Sequence, residues 1–214
     1  MSSFEIVGLP TDEVAGFVAG THPDPFRILG PHRVGENLVI RVFRPDAKEI
    51  SISAIEPPSE KFPANRLAPE GFFQAVIPGM KRNQEYQVHV TGWDDSEATV
   101  RDPYSYGSFM GDVDLHLVAE GNHAQIYEKF GAHLRTAGGI TGVYFAVWAP
   151  NAQRVSVIGD FNGWDGRTNP MRRLLGSGVW ELFLPHVSEG AHYKFEIRTP
   201  SGALLLMFSR HCMI

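Results

Sequence analysis

Residues 143–159, VYFAVWAPNAQRVSVIG, repeat the pattern of residues 38–54, LVIRVFRPDAKEISISA, at an offset of 105 positions. Four identities support this alignment: Val42 with Val147, Pro45 with Pro150, Ala47 with Ala152, and Ser51 with Ser156. Most other aligned positions keep their apolar or polar character. An internal repeat decides the fold class, because it divides one chain into two similar modules.

A second pair of segments follows the first pair in the same order. Residues 71–90, GFFQAVIPGMKRNQEYQVHV, align with residues 178–197, GVWELFLPHVSEGAHYKFEI, at an offset of 107. Three further identities result: Gly71 with Gly178, Pro78 with Pro185, and Tyr86 with Tyr193. Because two separate blocks share their order and nearly share their offset, we infer that one module occurs twice.

Each copy has the pattern of short antiparallel strands. Residues 143–148 and 154–158 are rich in β-branched and aromatic side chains, and a Pro-Asn-Ala turn separates them. The segments VWELFLP (179–185) and HYKFEI (192–197) alternate with period two around a turn that contains glycine. These patterns predict an all-β chain built from two tandem immunoglobulin-like β-sandwiches.

Helical patterning is confined mainly to two short stretches. The first covers 11–19, with Thr11 as a candidate cap and two acidic residues in the first turn. The second is NHAQIYEKF (122–130), where Asn122 is a candidate cap and Ile126 and Phe130 share one side. We expect this second helix to link the two sandwiches.

The predicted organisation therefore has five parts. They are an N-terminal helical segment (1–20), a first sandwich (21–110), a short helical linker (111–136), a second sandwich (137–206) and a divergent tail (207–214).

Composition and charge exclude several function classes. The 214 residues carry a net charge of −5 and contain no run of Lys or Arg longer than two, so nucleic acid and an anionic membrane surface are not expected partners. The single cysteine, Cys212, cannot form a disulfide within the chain, which favours a cytoplasmic location. The N-terminus lacks the pattern of a signal peptide, and no apolar run approaches the length of a membrane span.

The acidic and histidine side chains do not form an obvious catalytic or metal-binding pattern. Four aspartates, Asp94, Asp95, Asp160 and Asp165, lie in turns, where we interpret them as shaping the backbone by hydrogen bonds. His22, Asp24 and His32 lie close in sequence, but their prolines predict a structural loop instead of a metal site. We therefore predict no catalytic residue, no metal ligand and no cofactor in this chain.

The motifs around these strands are also typical of a known family. The stretch VYFAVWAPNAQRVSVIGDFNGWDGR, followed by GVWELFLPHVSEGAHYKFEI, resembles family 48 carbohydrate-binding modules of enzymes that act on glycogen and starch. Three further motifs, HPDPFRILGPH (22–32), RDPYSYG (101–107) and YEKFGAH (127–133), resemble the N-terminal half of bacterial 1,4-α-glucan branching enzymes. The resemblance covers roughly residues 4 to 206 and includes both copies of the module.

The resemblance implies a function in glycogen biosynthesis. Enzymes of this family, glycoside hydrolase family 13 branching glycosyltransferases, transfer an α-1,4 glucan segment to form an α-1,6 branch without a cofactor. Their catalytic residues lie on a (β/α)₈ barrel, on which the tandem modules pack. By this resemblance, the chain itself carries no catalytic residue and is expected to bind or position an α-glucan polymer.

The C-terminal residues depart from the family pattern. After SGALLL the family continues with an acidic-Pro-Tyr segment and a last strand, whereas this chain reads MFSRHCMI (207–214). We therefore expect an incomplete second sandwich and a shortened, truncated gene product. Two alternatives are a stand-alone glycogen-binding scaffold module and a generic immunoglobulin-like interaction protein, the second of which HPDPFRILGPH makes unfavourable.

The resemblance also assigns candidate carbohydrate-binding residues. They are Trp164 in FNGWDG and Lys194 in HYKFEI, with Asn162 and Asn169 as weaker candidates for contacts with sugar hydroxyls. Packing of Trp164 against another part of the protein remains an open alternative. The last hairpin, Gly202–Leu204, lacks the second aromatic residue that the family usually has, so weak affinity is expected.

The remaining tryptophans are interpreted by strand periodicity. Trp148 and Trp180, with Phe145 and Phe195, are predicted to be core residues because they lie inside alternating strands. Trp93 is left open between an exposed contact and a turn filler. Because the first copy lacks the FNGW turn, we expect it to act as a spacer or packing unit.

Overall fold

The computed structural model describes residues 7–174 and 176–207. They form two compact units: unit 1 contains residues 7–19 and 26–105, and unit 2 contains residues 20–25 and 106–207 apart from residue 175. Both units consist mainly of antiparallel strands, which confirms the predicted all-β fold class. Cys212 and all of the predicted tail except Met207 lie outside the described residues.

Unit 1 is one seven-stranded antiparallel sheet that curls so that its two halves face each other. Its strands are β1 (Gly30–Val34), β2 (Asn37–Phe43), β3 (Ala47–Ala54), β4 (Phe62–Ala68), β5 (Phe72–Pro78), β6 (Tyr86–Gly92) and β7 (Glu97–Val100). Their order is β1-β2-β5-β4-β3-β6-β7, so β4 joins the two halves. Apolar side chains of β2 and β5 pack with those of β3 and β6 in one buried cluster, as a β-sandwich requires.

Unit 2 contains two separate sheets. Its strands are β8 (Gly131–Ala137), β9 (Ile140–Trp148), β10 (Arg154–Gly159), β11 (Arg172–Leu174), β12 (Val179–Pro185), β13 (Tyr193–Arg198) and β14 (Leu204–Met207). The orders are β11-β12-β9-β8 and β10-β13-β14. Phe145 of β9 meets Tyr193 of β13 edge to face, with ring centroids 5.0 Å apart, so the aromatic core lies between the sheets.

The strand registers confirm the internal duplication. Val42 pairs with Phe73 between β2 and β5, and the aligned Val147 pairs with Trp180 between β9 and β12. The second block behaves in the same way, because the pair Ile52 and Val88 is matched by Val157 and Phe195. A shift of one residue would turn every side chain to the other face, so these matched registers show one topology used twice.

The duplication also extends beyond the two blocks recognised from the sequence. The segments FPANRLA (62–68) and NPMRRLL (169–175) share three identities at an offset of 107: Pro63 with Pro170, Arg66 with Arg173, and Leu67 with Leu174. Arg66 pairs with Phe73, as Arg173 pairs with Trp180. At the other edge, His32 and His133 occupy equivalent register positions, and the Nε2 atom of each contacts the carbonyl three residues earlier.

One of the two predicted helices lies where it was expected, and the other does not. Helix α1 covers Thr11–Val18 as expected, but Pro10 is its N-cap and no side chain caps it. A short helix, α2, covers Pro25–Ile28. The region 122–130 contains only a single 3₁₀ turn, Ile126–Glu128, and the α-helix, α3, covers Asp112–Ala119.

The prediction of a helix capped by Asn122 was wrong for a local reason. The amide of Asn122 donates to Leu117 O and that of Gly121 donates to Val118 O, which is a Schellman ending of α3. Gly121 has φ of 72°, the left-handed conformation that this ending needs. Asn122 therefore follows the end of one helix and does not begin another.

The segment before β8 covers the outer face of the four-stranded sheet. Leu115 and Val118 of α3, with Phe109 and Phe130, pack on Tyr144, Phe183 and other sheet residues in a second buried cluster. The interval 111–136, expected above to be a linker, thus contains α3, the 3₁₀ turn and most of β8.

Three of the four aromatic residues predicted to be core are confirmed as such. Trp180, Phe145 and Phe195 are at most 2% exposed. Trp148 is 53% exposed, so the prediction for it was wrong. It is the last residue of β9, and its Nε1 donates to Ser177 O at 3.0 Å. Periodicity cannot show where a strand ends, which is why the error arose.

Candidate functional site

The candidate site is the turn that joins β10 to the following segment. All six residues of β10 are buried, and a 3₁₀ turn over Asp160–Asn162 follows directly. A Cβ atom on Gly159 would lie 2.3 Å from His192 O, so only glycine allows β10 to approach the neighbouring backbone here. The turn thus begins at a fixed point against β13.

Trp164 is held in an unusual backbone conformation at the tip of this turn. Gly163 and Trp164 have φ of 61° and 62°, which places two successive residues in the left-handed region. That conformation is strained for a large side chain and persists only where surrounding contacts impose it. The Trp164 amide donates to Gly159 O at 3.1 Å, which closes the turn.

Asn162 and Asn169 hold the turn from inside. Asn162 Oδ1 accepts from the Gly159 amide at 2.9 Å, and Asn162 Nδ2 donates to Val157 O at 2.9 Å and to Asn169 Oδ1 at 2.7 Å. Both amide hydrogens of Asn162 are therefore used within the protein. The Asn169 carbonyl accepts from the Val157 amide at 3.1 Å, which extends the clamp along β10.

The Trp164 indole is 40% exposed and has polar groups on two sides. Its Nε1 donates to Asp160 Oδ1 at 3.2 Å, and Lys194 Nζ lies 5.2 Å from the ring centroid. Lys194 belongs to β13 and pairs with Ile158 of β10, so the strand register brings the ammonium group to the indole. An ammonium at this distance is attracted by the π-electrons of the ring.

Two side chains at this turn, Asp160 and His192, form a contact that the sequence analysis did not predict. Asp160 Oδ2 contacts His192 Nδ1 at 3.1 Å and accepts from the His192 amide at 3.4 Å. Burial opposes ionisation of Asp160, but hydrogen bonds from His192 and Trp164 outweigh it and lower the pKa of this carboxyl. A signal existed, because His192 lies two residues before Lys194 and period two places both on one face.

Two of the four predicted turn aspartates shape the backbone as expected. Asp165 Oδ1 accepts from the Arg167 amide and Asp94 Oδ1 accepts from the Ser96 amide, two residues on in each case. Asp160 and Asp95 do not, because the carboxylate of Asp160 binds Trp164 and His192 and that of Asp95 binds Lys48. Among residues 7–174 and 176–207, no group of three or more His, Cys, Asp or Glu is arranged to hold a metal ion.

The underside of the turn rests on a buried ion pair. Arg154 Nη2 lies 2.5 Å from Glu196 Oε1, and both side chains are largely buried. A Cβ atom on Gly166 would lie 2.0 Å from Glu196 Oε1, so any larger residue there would displace this carboxylate. Lys194 and Glu196 therefore serve the turn from one face of β13, the first beside the indole and the second below the backbone.

Comparison with known proteins agrees with this architecture. Residues 10–104 match the model of the N-terminal domain of the α-1,4-glucan branching enzyme GlgB, and residues 129–210 match carbohydrate-binding module 48, the isoamylase N-terminal domain. Within the described residues, no helix is both long and apolar enough to cross a membrane.

Curated relatives match most of this chain, but only part of their own length is covered. The chain is 42% identical over 200 residues to 1,4-α-glucan branching enzyme GlgB 2 of Rhizobium johnstonii, and 45% identical over 200 residues to GlgB of Rhodopseudomonas palustris. Each match covers 94% of this chain and 27% of the relative. Among solved structures, PulA from Klebsiella oxytoca is 19% identical to this chain, with a TM-score of 0.30. The match covers 83% of this chain and 19% of the PulA chain.

Two family matches thus fall on the two halves of the chain, and full-length relatives align with both halves in one continuous stretch. The chain matches the N-terminal region of 1,4-α-glucan branching enzymes, and residues 129–210 match the family 48 carbohydrate-binding modules.

Proposed function

We propose that unit 2 binds an α-1,4-linked glucan at the Trp164 turn. The observation that carries the proposal is the half-exposed Trp164 indole, held by a strained backbone with Lys194 Nζ 5.2 Å from its ring. A pyranose has an apolar face of C–H groups and a rim of hydroxyls. A fixed indole suits the face, and an ammonium group beside it can donate to the rim.

The surrounding residues would have different roles. Trp164 would stack on a glucose ring, and Lys194 would donate a hydrogen bond to a hydroxyl. Asp160 and Asn162 would act as positioning residues, because the first holds the indole and the second holds the turn. Asn169 is the remaining candidate for a hydroxyl contact, since only its Oδ1 atom and carbonyl take part in the clamp.

One aromatic platform supports only weak binding. In the last hairpin, the place where related modules carry a second aromatic residue holds Ala203 and Leu204. Without a second ring to stack on, we expect a dissociation constant on the order of 1 mM for a short oligosaccharide. Binding to a branched polymer such as glycogen would be stronger, because it offers many chain ends.

The wider function follows from the relatives that are named branching enzymes. The chain spans 27% of their length, so the transfer chemistry is proposed for the part of those proteins that this chain does not match. In this proposal the chain positions an α-glucan in glycogen biosynthesis in the cytoplasm, without a nucleic-acid or membrane partner. The division into segments 1–20, 21–110, 111–136, 137–206 and 207–214 is proposed with it.

Affinity electrophoresis in gels with and without glycogen tests the proposal. We expect glycogen to retard the chain, and Trp164→Ala to reduce the retardation. Tyr127→Ala is a matched control, because Tyr127 is also an exposed aromatic residue of unit 2. Equal mobility of the unchanged chain in both gels would overturn the proposal and favour a packing role for Trp164.

An iodine-staining assay tests the second part of the proposal. The purified chain is expected to leave the amylose–iodine colour unchanged, since it is proposed to position glucan and not to transfer it. Branching activity in this assay would contradict the assignment. Retardation by glycogen without any such activity would also be expected of the alternative, a stand-alone glycogen-binding scaffold module.

A further inference from the structure

Unit 1 contains its own exposed tryptophan, in the hairpin between β6 and β7. Trp93 is 65% exposed, more than any other tryptophan among the described residues. The hairpin is closed at its base, because the Gly92 amide donates to Ser96 O at 2.8 Å and the Asp95 amide donates to Gly92 O at 3.1 Å. The indole therefore stands on a defined turn.

The Trp93 ring is braced from one side by an anchored guanidinium group. Arg66 Cζ lies 5.3 Å from the Trp93 ring centroid and 4.6 Å from that of the buried Phe73. The guanidinium donates to Pro69 O at 2.8 Å and also to Ala47 O. Because Arg66 is held at several points, it fixes the plane of an indole that is otherwise open to solvent.

A strand bulge and a left-handed turn residue direct polar groups to the same place. The pairing of β3 with β6 shifts between Ala47 and Glu49, which leaves Lys48 as an extra residue in a bulge. Lys48 Nζ reaches Asp95 Oδ1 at 2.7 Å, and Asp95 itself has a left-handed φ of 60°. Bulges of this kind re-aim side chains and occur often beside functional sites.

The charges around the platform indicate the chemistry of its ligand. Lys48 is paired with Asp95, and Arg66 donates to backbone carbonyls, so both cations already have partners within the protein. Asp94 and Asp95 balance the charges of Lys48 and Arg66, so the tip has no net positive charge that would attract a phosphate group. A neutral molecule with an apolar face and several hydroxyls fits a flat ring with carboxylates and an ammonium at its edge.

We propose that Trp93 is a second carbohydrate-binding platform, which makes unit 1 a glucan-contacting module and not only a spacer. The choice of an α-1,4-glucan as ligand rests on the function proposed for unit 2. The platform is specific to unit 1, because the position of Trp93 is taken by Pro200 in unit 2. The ring beside Arg173, the equivalent of Arg66, is Trp180, which is buried.

Indole NMR signals of the whole chain distinguish the two platforms. The chain has four tryptophans, each with one Nε1–H resonance, and single Trp→Phe variants assign them. We expect titration with maltoheptaose to shift the Trp93 and Trp164 signals saturably. The buried Trp180 signal should stay in place, and it serves as the internal control.

Each combination of shifts decides between the two sites. A stationary Trp93 signal with a moving Trp164 signal would overturn the second platform and leave the first. A moving Trp93 signal with a stationary Trp164 signal would support the second platform and refute the site proposed in unit 2. If neither signal moves, both proposals fail.

Two further measurements separate specific stacking from nonspecific effects. Arg66→Lys keeps the charge but loses the planar clamp, so the Trp93 response to maltoheptaose should weaken while the Trp164 response stays unchanged. Inorganic phosphate should leave the Trp93 signal in place. A saturable phosphate shift at Trp93 would contradict the inferred preference for a neutral ligand.

Discussion

Lys194 is brought to Trp164 by the backbone and not by chance contact of two surface side chains. Its strand pairs with β10 in a register that sets Lys194 opposite Ile158, and the turn that begins one residue later carries the indole to within 5.2 Å of the ammonium nitrogen. The arrangement of the Trp164 ring, the Lys194 ammonium group and the Asp160 carboxylate therefore depends on the geometry of the turn. Variants of the turn test this dependence.

The strained backbone at Trp164 predicts a trade-off between stability and binding. Trp164→Gly relieves the left-handed strain, whereas Trp164→Ala keeps it, so the glycine variant should be more stable than the alanine variant by about 1 kcal/mol. Both variants should show reduced retardation by glycogen. Urea unfolding measures the difference, and equal stability of the two variants would show that the turn is not strained.

Asn162 is expected to matter for the stability of unit 2. Asn162→Ala removes three hydrogen bonds that hold the turn, which should lower the free energy of unfolding by about 2 kcal/mol. Asn151→Ala, in an exposed position of the preceding turn, is the matched control and should change little. If both variants unfold at the same urea concentration, the clamp does not support the turn.

Asp102 predicts a pH dependence of stability in unit 1. Its carboxylate accepts from Tyr86 Oη at 2.5 Å and from the Tyr104 amide at 2.9 Å. Burial raises the pKa of Asp102 to about 6, although the hydrogen bonds from Tyr86 and Tyr104 lower it. Between pH 4 and 6 the folded state thus binds more protons here than the unfolded state, so this group makes the protein less stable as pH rises.

The Asp102→Asn variant isolates that contribution. Asparagine has no charge to bury, so the stability of the variant relative to the unchanged chain should increase from pH 4 to pH 7 by at most about 3 kcal/mol. Urea unfolding of both proteins at several pH values gives this difference. A difference that does not vary with pH would mean that Asp102 has an ordinary pKa in the folded protein.

The buried carboxylate of Glu181 is expected to anchor the segment before α3. Its Oε2 accepts from the Phe109 and Met110 amides at 3.2 and 3.3 Å and from Tyr144 Oη at 3.0 Å, and Arg172 Nε lies 3.4 Å from Oε1. Glu181→Ala leaves these donors buried without an acceptor. We expect a loss of about 3 kcal/mol in the free energy of unfolding.

The duplication supplies the control for Glu181. The aligned position in unit 1 is Gln74, whose Oε1 accepts from the Val7 amide at 3.2 Å. Glu181→Gln keeps an acceptor of the same shape and should cost much less than Glu181→Ala. Equal losses for the two variants, measured by urea unfolding, would show that charge and not hydrogen bonding is what position 181 requires.

Amino-acid patterns alone were sufficient to predict the internal repeat and the class of fold. Period-two alternation and paired Gly, Pro and Tyr positions indicated two copies of one module, and the matched registers of Val42 with Phe73 and Val147 with Trp180 confirm it. These features are local or depend on alignment, so they can be seen in a linear chain. The correspondence of Arg66 with Arg173 is also present in the sequence, but it was recognised only from the strand registers.

Tertiary structure alone decided how the candidate side chains are used. Sequence placed Trp164 and Lys194 in one family motif, but the Asp160–His192 contact and the clamp of Asn162 on Asn169 arise from strand pairing across more than 30 residues and from a folded turn. Exposure was decided in the same way: Trp148 and Trp180 both lie in alternating strands, yet Trp148, the last residue of its strand, is 53% exposed and Trp180 is buried. Burial depends on what covers a side chain from elsewhere in the chain, and periodicity within one strand carries no information about that.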